Sequence, residues 1–504
     1  MESKMLLALG LSVLIIAIIS KLISLATKPR LNLPPGPWTL PVIGSIHHLV
    51  RNPSVHRAVR ALSEKHGPLM QLWLGEVPIV VASTPEVVQE IVKNLDLQFA
   101  DRHLSTTSSI ISFGASDIFF APYGELWRQL RKLSMQELLS AARVRSFQRI
   151  REDEVGGLVR EIAAAADAGA AVNLTERASR LVNDVVTRCS VGERCRYRDE
   201  FLDALDTAKS QLKWLTVADI FPSSRLAQMV GTAPRKALAG RTRMLRIIDE
   251  IIRERKEQMA AGEDAGKECF IDVLLKLEKE GGTSIQVTTE IVVVLIFDVF
   301  TGGSESSSTV LIWILTELVR WPRVMAKAQV EIRQALKGKS TITEDDIVGL
   351  NYLKMVIKET LRLHVPAPFL SPRKCRETCK VMGYDVPKGT SVFVNMWAIC
   401  RDPRYWEDPE EFKPERFENN NIDYKGNNFE FIPFGAGRRI CPGINLALAN
   451  LELALASLIY HFDWKLPNEM EPKDLDIRET VGITAAKLTS LDLCPITRID
   501  PRVA

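Results

Sequence analysis

The stretch that decides the reading is Pro433–Gly443, PFGAGRRICPG, which runs directly into Ile444–His461, INLALANLELALASLIYH. The leucine spacing in the second run predicts a helix apolar on nearly all faces, and such a helix is buried. Cys441, followed by Pro442 and Gly443, stands at its amino end. A thiolate there meets backbone N–H groups and the positive end of the helix dipole, and both favour the anion. Gly435, Gly437 and Gly443 let the backbone approach a flat partner. Arg438 and Arg439 supply donors that match carboxylates, and Phe434 supplies an apolar cover. A single thiolate with glycines, arginine and an aromatic suits a haem and its anionic propionates. The usual fate of a lone cysteine is a small buried hydrophobe, and the other seven cysteines are read that way.

A second long helix is expected from about Thr288 to Val319, mostly apolar as far as Phe300. Thr301–Thr309, TGGSESSST, interrupts it with poor helix-interior residues. A polar patch inside a buried helix is costly unless something uses it. Strand-like pieces fall at Leu72–Ala82, Lys380–Val386, Ser391–Asn395 and Leu488–Pro495. Helix in large excess over small sheets makes the fold class α+β, mainly α. No second linker or repeat appears after Pro41, so residues 46–504 read as one domain of about 460 residues, beyond the usual size range.

The amino-terminal segment Met5–Ala26, MLLALGLSVLIIAIISKLISLA, holds one charge, Lys21. Twenty-two helical residues cover about 33 Å, enough to cross a hydrocarbon core of about 30 Å. Lys21, Lys28 and Arg30 outnumber Lys4, which places the bulk of the chain on the cytosolic side. Residues 1–28 are therefore expected to be a membrane anchor. The run is long for a cleaved signal peptide, and no clear small-x-small cleavage site precedes Lys28. Residues 29–45 follow as a proline-rich hinge, stiffened by Pro34, Pro35 and Pro37.

Composition narrows the partners. Net charge is +3 over 504 residues, so nothing in bulk points to nucleic acid. Eight irregularly spaced cysteines argue against a disulfide framework, and no CxxC pair occurs. Cys375 and Cys379 read as structural thiols, and the seven scattered histidines show no HExxH spacing. Glu359 and Arg362, three apart in KMVIKETLRLH, share a helix face and can pair among apolar neighbours.

Phe434, Gly437, Arg439, Cys441 and Gly443 match the FxxGxRxCxG signature of the cytochromes P-450 at every fixed position. Glu359 and Arg362 match its ExxR, Pro414–Phe417 its PERF, and Trp127 with Arg131 its WxxxR, all in the family's order. The chain thus resembles that family over essentially its full length. PRKCRETCKVMGYDVPKGT and WAICRDPRYWEDPEEFKPERF are similar to the plant microsomal group, and within it to terpenoid oxygenases of the premnaspirodiene oxygenase kind. The resemblance implies the family fold, with haem b between two long buried helices and Cys441 as its axial ligand. It implies that Trp127, Arg131 and Arg439 meet the propionates, with Arg373 a further candidate. It implies a structural network of Glu359, Arg362 and Arg416. Gly302–Ser307, GGSESS, aligns with the oxygen-binding pattern, with Gly302 and Gly303 leaving room above the iron and Glu305 and Ser306 as the proton relay. The family's usual threonine is Ser306 here, a hydroxyl without the methyl that restricts its rotamer.

The implied activity is insertion of one atom of dioxygen into an apolar small molecule, with a sesquiterpene or diterpene favoured. The chain shows no flavin or nicotinamide motif, so electrons are expected from a separate membrane-bound NADPH–cytochrome P-450 reductase. Arg128, Arg131, Lys132 and Arg438 are candidates for a basic docking face. The implied location is the endoplasmic reticulum membrane, single-pass, with the catalytic domain cytosolic. Substrate contacts are expected from His103–Phe120 (Ile110, Ile111, Phe113, Phe119), from Val365–Leu370, and from Val294, Phe297 and Asp298. Rival readings are a haem-thiolate isomerase or dehydratase without reductase, and a non-catalytic haem-binding sensor or carrier.

Overall fold

The computed structural model describes residues 31–50, 54–192, 196–210, 216–230, 232–262, 268–281, 286–480 and 482–502. The expected anchor, residues 1–28, lies outside them. Among the described residues eleven helices have nine or more residues: α1 Val55–His66, α2 Glu125–Leu133, α3 Gln148–Asp167, α4 Leu174–Val191, α5 Arg198–Lys209, α6 Ala233–Ala260, α7 Phe270–Glu280, α8 Thr289–Arg320, α9 Pro322–Ala335, α10 Asn351–Leu363 and α11 Ile444–His461.

The two helices expected from apolar pattern organise the body. Extended backbone at Thr288 starts α8, Glu290 occupies its first turn, and it stops at Trp321 before Pro322. Its polar patch does not break it. Thr301 Oγ1 donates to the Phe297 carbonyl at 2.8 Å, Ser304 Oγ to Phe300 at 2.6 Å and Ser308 Oγ to Ser304 at 3.2 Å. These hydroxyls are satisfied one turn back on their own helix, which keeps the patch compatible with helix. α8 packs on α4, α10 and α11. Gly303 makes the first of these contacts possible: a Cβ there would stand 3.0 Å from Val186 Cγ2. α11 carries Leu446, Leu451, Leu453, Leu455 and Leu458 into the same apolar cluster.

Strands β1 Leu69–Leu74, β2 Val77–Ala82, β3 Asp101–Arg102, β5 Phe369–Lys374 and β8 Ser391–Asn395 form a five-stranded sheet, in the order β1-β2-β8-β5-β3. The expected piece Leu72–Ala82 is a hairpin, turned at Gly75 with φ +60°. The piece Lys380–Val386 is likewise a hairpin, β6 Cys379–Val381 and β7 Tyr384–Val386. Near the carboxyl end β10 Asp492–Thr497 joins β4 Val172–Asn173 and β9 Phe462–Lys465. Mainly helical architecture with small sheets agrees with the sequence reading.

The described part of the hinge has no helix, closes in a turn at Leu40–Gly44, and is tied to the body. Asn32 and Asp385 exchange backbone and carboxylate bonds at 2.7 and 2.9 Å. Gln71 N donates to Pro35 O at 2.8 Å, and Ser45 N to Trp73 O at 2.6 Å.

Candidate active site

The Cys441 loop is a tightly folded lead into α11. Cys441 N donates to Phe434 O at 2.9 Å, and Ile440 N to Gly437 O at 3.1 Å. Gly437 has φ +67°, and a Cβ there would sit 2.5 Å from the Val92 carbonyl oxygen and 3.0 Å from Asp96 Oδ1. Both the conformation and the close approach demand glycine. Gly443 has φ −90°, open to other residues, and caps α11. Burial pushes the Cys441 thiol up, while the Gly443 N–H and the Arg131 charge pull it down. Those two groups, at a helix start, are what a thiolate needs. Phe434 is half-buried, edge-on to Tyr424 at 5.7 Å.

Around this loop stands a cluster of arginines. Arg439 is buried, its Nε donating to Ala100 O at 2.9 Å and its guanidinium lying 4.3 Å from the Trp127 ring centre. Trp127 Nε1 and Arg439 Nη1 both donate to Ile118 O, at 3.0 and 3.3 Å. Burial pulls Arg439 down to about 10, and Arg373 and Arg131 nearby act the same way. Arg102 is held well below its ordinary range by burial and by Arg439 and Arg373. Among the described residues no carboxylate pairs with Arg102, Arg131 or Arg439. The adjacent Asp96 is committed to Arg373 at 2.6 Å and Arg438 at 2.8 Å. Arg373 also donates to Ala436 O at 2.9 Å. Asp101 and Asp117 act on Arg439 only from a distance, so a group of repelling, partly desolvated cations without salt-bridged carboxylates is a site for an anionic ligand.

On α8, Glu305 and Ser306 are half-buried. Ser306 Oγ donates to Gly302 O at 3.0 Å. A Cβ on Gly302 would meet nothing within 4 Å, so open space lies beside this part of the helix. Only Gly302 of the glycine pair leaves room there, because Gly303 is used against α4. Phe113 stands edge-on to Phe297 at 5.1 Å. Ile111, Val294, Phe297 and Val365 are buried, whereas Phe119 is exposed under the Arg102 guanidinium.

Behind the loop, Glu359 is wholly buried and accepts from four donors. These are Arg362 Nε and Nη2 at 2.8 Å each, Arg416 Nε at 2.9 Å and Lys413 N at 2.9 Å. Arg362 Nη1 donates to Cys400 O and Pro409 O, and Arg416 Nη1 to Glu407 O. The network fastens residues 400–416 to α10. Trp406, Phe417 and Phe431 meet edge-on or tilted beside it, and Phe431 stands three residues before Phe434 in the chain.

The structure therefore gathers Trp127, Arg131 and Arg439 near Cys441, and Glu359, Arg362 and Arg416 into one network. Arg373 lies in the arginine cluster but spends its donors on Asp96 and the loop backbone. Of the basic surface candidates, Arg128 pairs with Glu125, Arg438 with Asp96, and Arg131 turns inward towards Cys441. Sequence reasoning missed Arg102, which has no motif around it, and Asp117. Burial raises Asp117 to about 7, although the Phe120 N–H it accepts at 2.6 Å and the Arg439 charge act against this.

The family model described as cytochrome P-450 matches residues 34–491. The chain is 69% identical over 513 residues to ent-cassadiene hydroxylase of Oryza sativa subsp. japonica, covering 100% of this chain and 99% of that one. It is 59% identical over 504 residues to dolabradiene monooxygenase of Zea mays, covering 99% of each. It is 45% identical over 465 residues to premnaspirodiene oxygenase of Hyoscyamus muticus, covering 92% of each.

Proposed function

The chain belongs to the cytochrome P-450 family, and we propose that it hydroxylates a diterpene or sesquiterpene with electrons from a membrane-bound NADPH reductase. The observation that carries this reading is the Cys441 thiol at the start of α11, beside arginines that form no ion pair among the described residues. These residues fit a haem: a thiol aided by the Gly443 N–H, and Arg131 and Arg439 free of carboxylate partners for two propionates. Cys441 would hold the haem iron through its sulfur. Trp127 would hold Arg439 in place through the shared Ile118 carbonyl. Arg373 would act one step back, fixing Asp96 and Ala436 so that the loop keeps its shape. Haem with a thiolate ligand supplies dioxygen activation.

The chain's own residues supply the rest. Ser306 Oγ would pass protons in from the Glu305 side, after turning from the Gly302 carbonyl it now meets. General-acid transfer of this kind needs the hydroxyl within hydrogen-bond reach of the reacting oxygen. Apolar side chains, Phe113, Val294 and Phe297 among them, would exclude water and fit a hydrocarbon. The relatives' names support terpenoids as substrate class.

An exposed apolar patch supports a membrane-facing orientation with the amino-terminal segment as single-pass anchor in the endoplasmic reticulum. Trp38 and Val42 are 63% and 50% exposed, and Val217 and Leu226 58% and 71%. The segments that carry them both adjoin one hairpin: Gly44 bridges to Leu74, and Glu76 N donates to Ile220 O at 3.0 Å. Such a patch marks an interaction surface.

The test is co-expression with a plant reductase and a panel of terpene synthases, followed by product analysis. Oxygenated terpenes that need NADPH and the reductase are expected. Turnover without reductase, or oxidation of none of the terpenes, overturns the proposal.

A further inference from the structure

Asp298 sits on α8 between buried Phe297 and Val299, one turn before Gly302. Residues four apart share a helix face, so Asp298, Gly302 and Ser306 follow one another along one side of α8. Gly302 on that side is exposed, with nothing within 4 Å of a Cβ placed there, and Asp298 keeps partial exposure on a helix that is otherwise mostly buried. Its Oδ2 accepts the Ile118 N–H at 2.9 Å. The Ile118 carbonyl on the other side of that residue takes the bonds from Trp127 and Arg439. Asp298 Oδ1 has no hydrogen-bond partner among the described residues.

A half-buried carboxyl whose second oxygen meets no protein donor among the described residues is open to a hydrogen-bonding ligand that reaches it. We propose that Asp298 is a specificity-determining residue whose Oδ1 hydrogen-bonds an oxygen already carried by the substrate, so that a hydroxylated terpenoid, including the product of a first oxidation, is held in preference to its parent hydrocarbon. This rests on the terpenoid reading above. Burial and the neighbouring Asp117 both push Asp298 well above the usual carboxylate range. A protonated carboxyl donates to a ketone or ether and either donates to or accepts from an alcohol, whereas a hydrocarbon offers it nothing. The consequence is a bias towards successive oxidations of one skeleton, since the first oxygen introduced becomes the handle for the next binding event.

The test uses the full-length haem-loaded protein in vesicles and follows the change in haem absorption on titration. The probes are ent-cassadiene and a monohydroxylated ent-cassadiene. In Asp298→Leu the alcohol is expected to bind about tenfold more weakly, and the hydrocarbon to change by less than about twofold. Asp298→Asn keeps an acceptor for Ile118 and a donor for the substrate, so both ligands should stay within about threefold of wild type. The hydrocarbon arm reports whether the leucine variant retains its fold. Equal weakening of both ligands would make Asp298 a loop tie alone and overturn the inference, as would no change in either. Wild-type protein that responds to neither compound overturns the substrate class, and this inference with it.

Discussion

Replacing Glu359 by glutamine should cost the protein a large share of its stability. The carboxylate is wholly buried and meets two guanidiniums, with three arginine donors at 2.8–2.9 Å and the Lys413 N–H at 2.9 Å. Glutamine keeps the shape but removes the countercharge, and turns an NH₂ towards donors that need an acceptor. Removing one partner of a buried ion pair costs about 3–5 kcal/mol. Here Arg362 and Arg416 both lose their partner, so the loss should lie at the upper end, about 5 kcal/mol. Whole-domain stability is only about 5–15 kcal/mol, so the variant should be marginal at growth temperature. Its damage should reach the Cys441 loop through Trp406, Phe417 and Phe431. Denaturant titration followed by tryptophan fluorescence suits the test, because the Arg362 guanidinium lies 5.4 Å from the Trp406 ring centre. Haem retention provides a second readout. A loss below about 1 kcal/mol, within the range of ordinary point mutations, would refute the view that this network carries the fold behind the loop.

Gly437→Ala should fold poorly around the loop and lose most haem, because its Cβ would meet the Val92 carbonyl oxygen at 2.5 Å; haem-to-protein ratio after purification measures this. Ser306→Thr should raise the fraction of consumed NADPH recovered as product by about twofold, and Ser306→Ala should lower it, as expected for a hydroxyl that transfers protons; peroxide release measured beside product yield checks both. Burial raises Asp117 to about 7 and Asp298 in the same direction. A carboxyl with a raised folded-state pKa stabilises fully below its unfolded value, and that contribution is lost as pH rises through the folded one. Thermal stability of the wild type should therefore fall between about pH 4 and pH 7 relative to Asp117→Asn, and parallel pH profiles for the two proteins would contradict the assignment.

The loop around Cys441 was readable because its chemistry is local: thiol, glycines and arginines lie within eleven residues, and the helix behind it announces itself by leucine content. Glu359 with Arg362 was readable for the same reason, one helical turn holding both. Of the arginine cluster, Arg131, Arg373 and Arg439 enter through the family resemblance and Arg102 does not, since the four come from separate segments that only topology brings together. The helix expected from about Thr288 to Val319 runs on through its polar patch, because hydroxyls that bond back onto their own helix offset the poor intrinsic propensity there. Strand β5 escaped notice because Pro372 lies within it and cannot donate to a ladder. The register slips between Leu370 and Arg373, which accommodates that proline. The role of Asp117 depends on a partner on α8 far along the chain, so nothing near it could have revealed it.

The bond on which the rest depends is the one between Cys441 sulfur and haem iron. Iron X-ray absorption of the purified, haem-loaded full chain measures it directly, with Cys441→Ser as comparison. The account predicts one sulfur among the nearest neighbours of iron in the wild type and none in the variant. A wild-type spectrum with only nitrogen or oxygen ligands, or a sulfur signal that persists in Cys441→Ser, would contradict it.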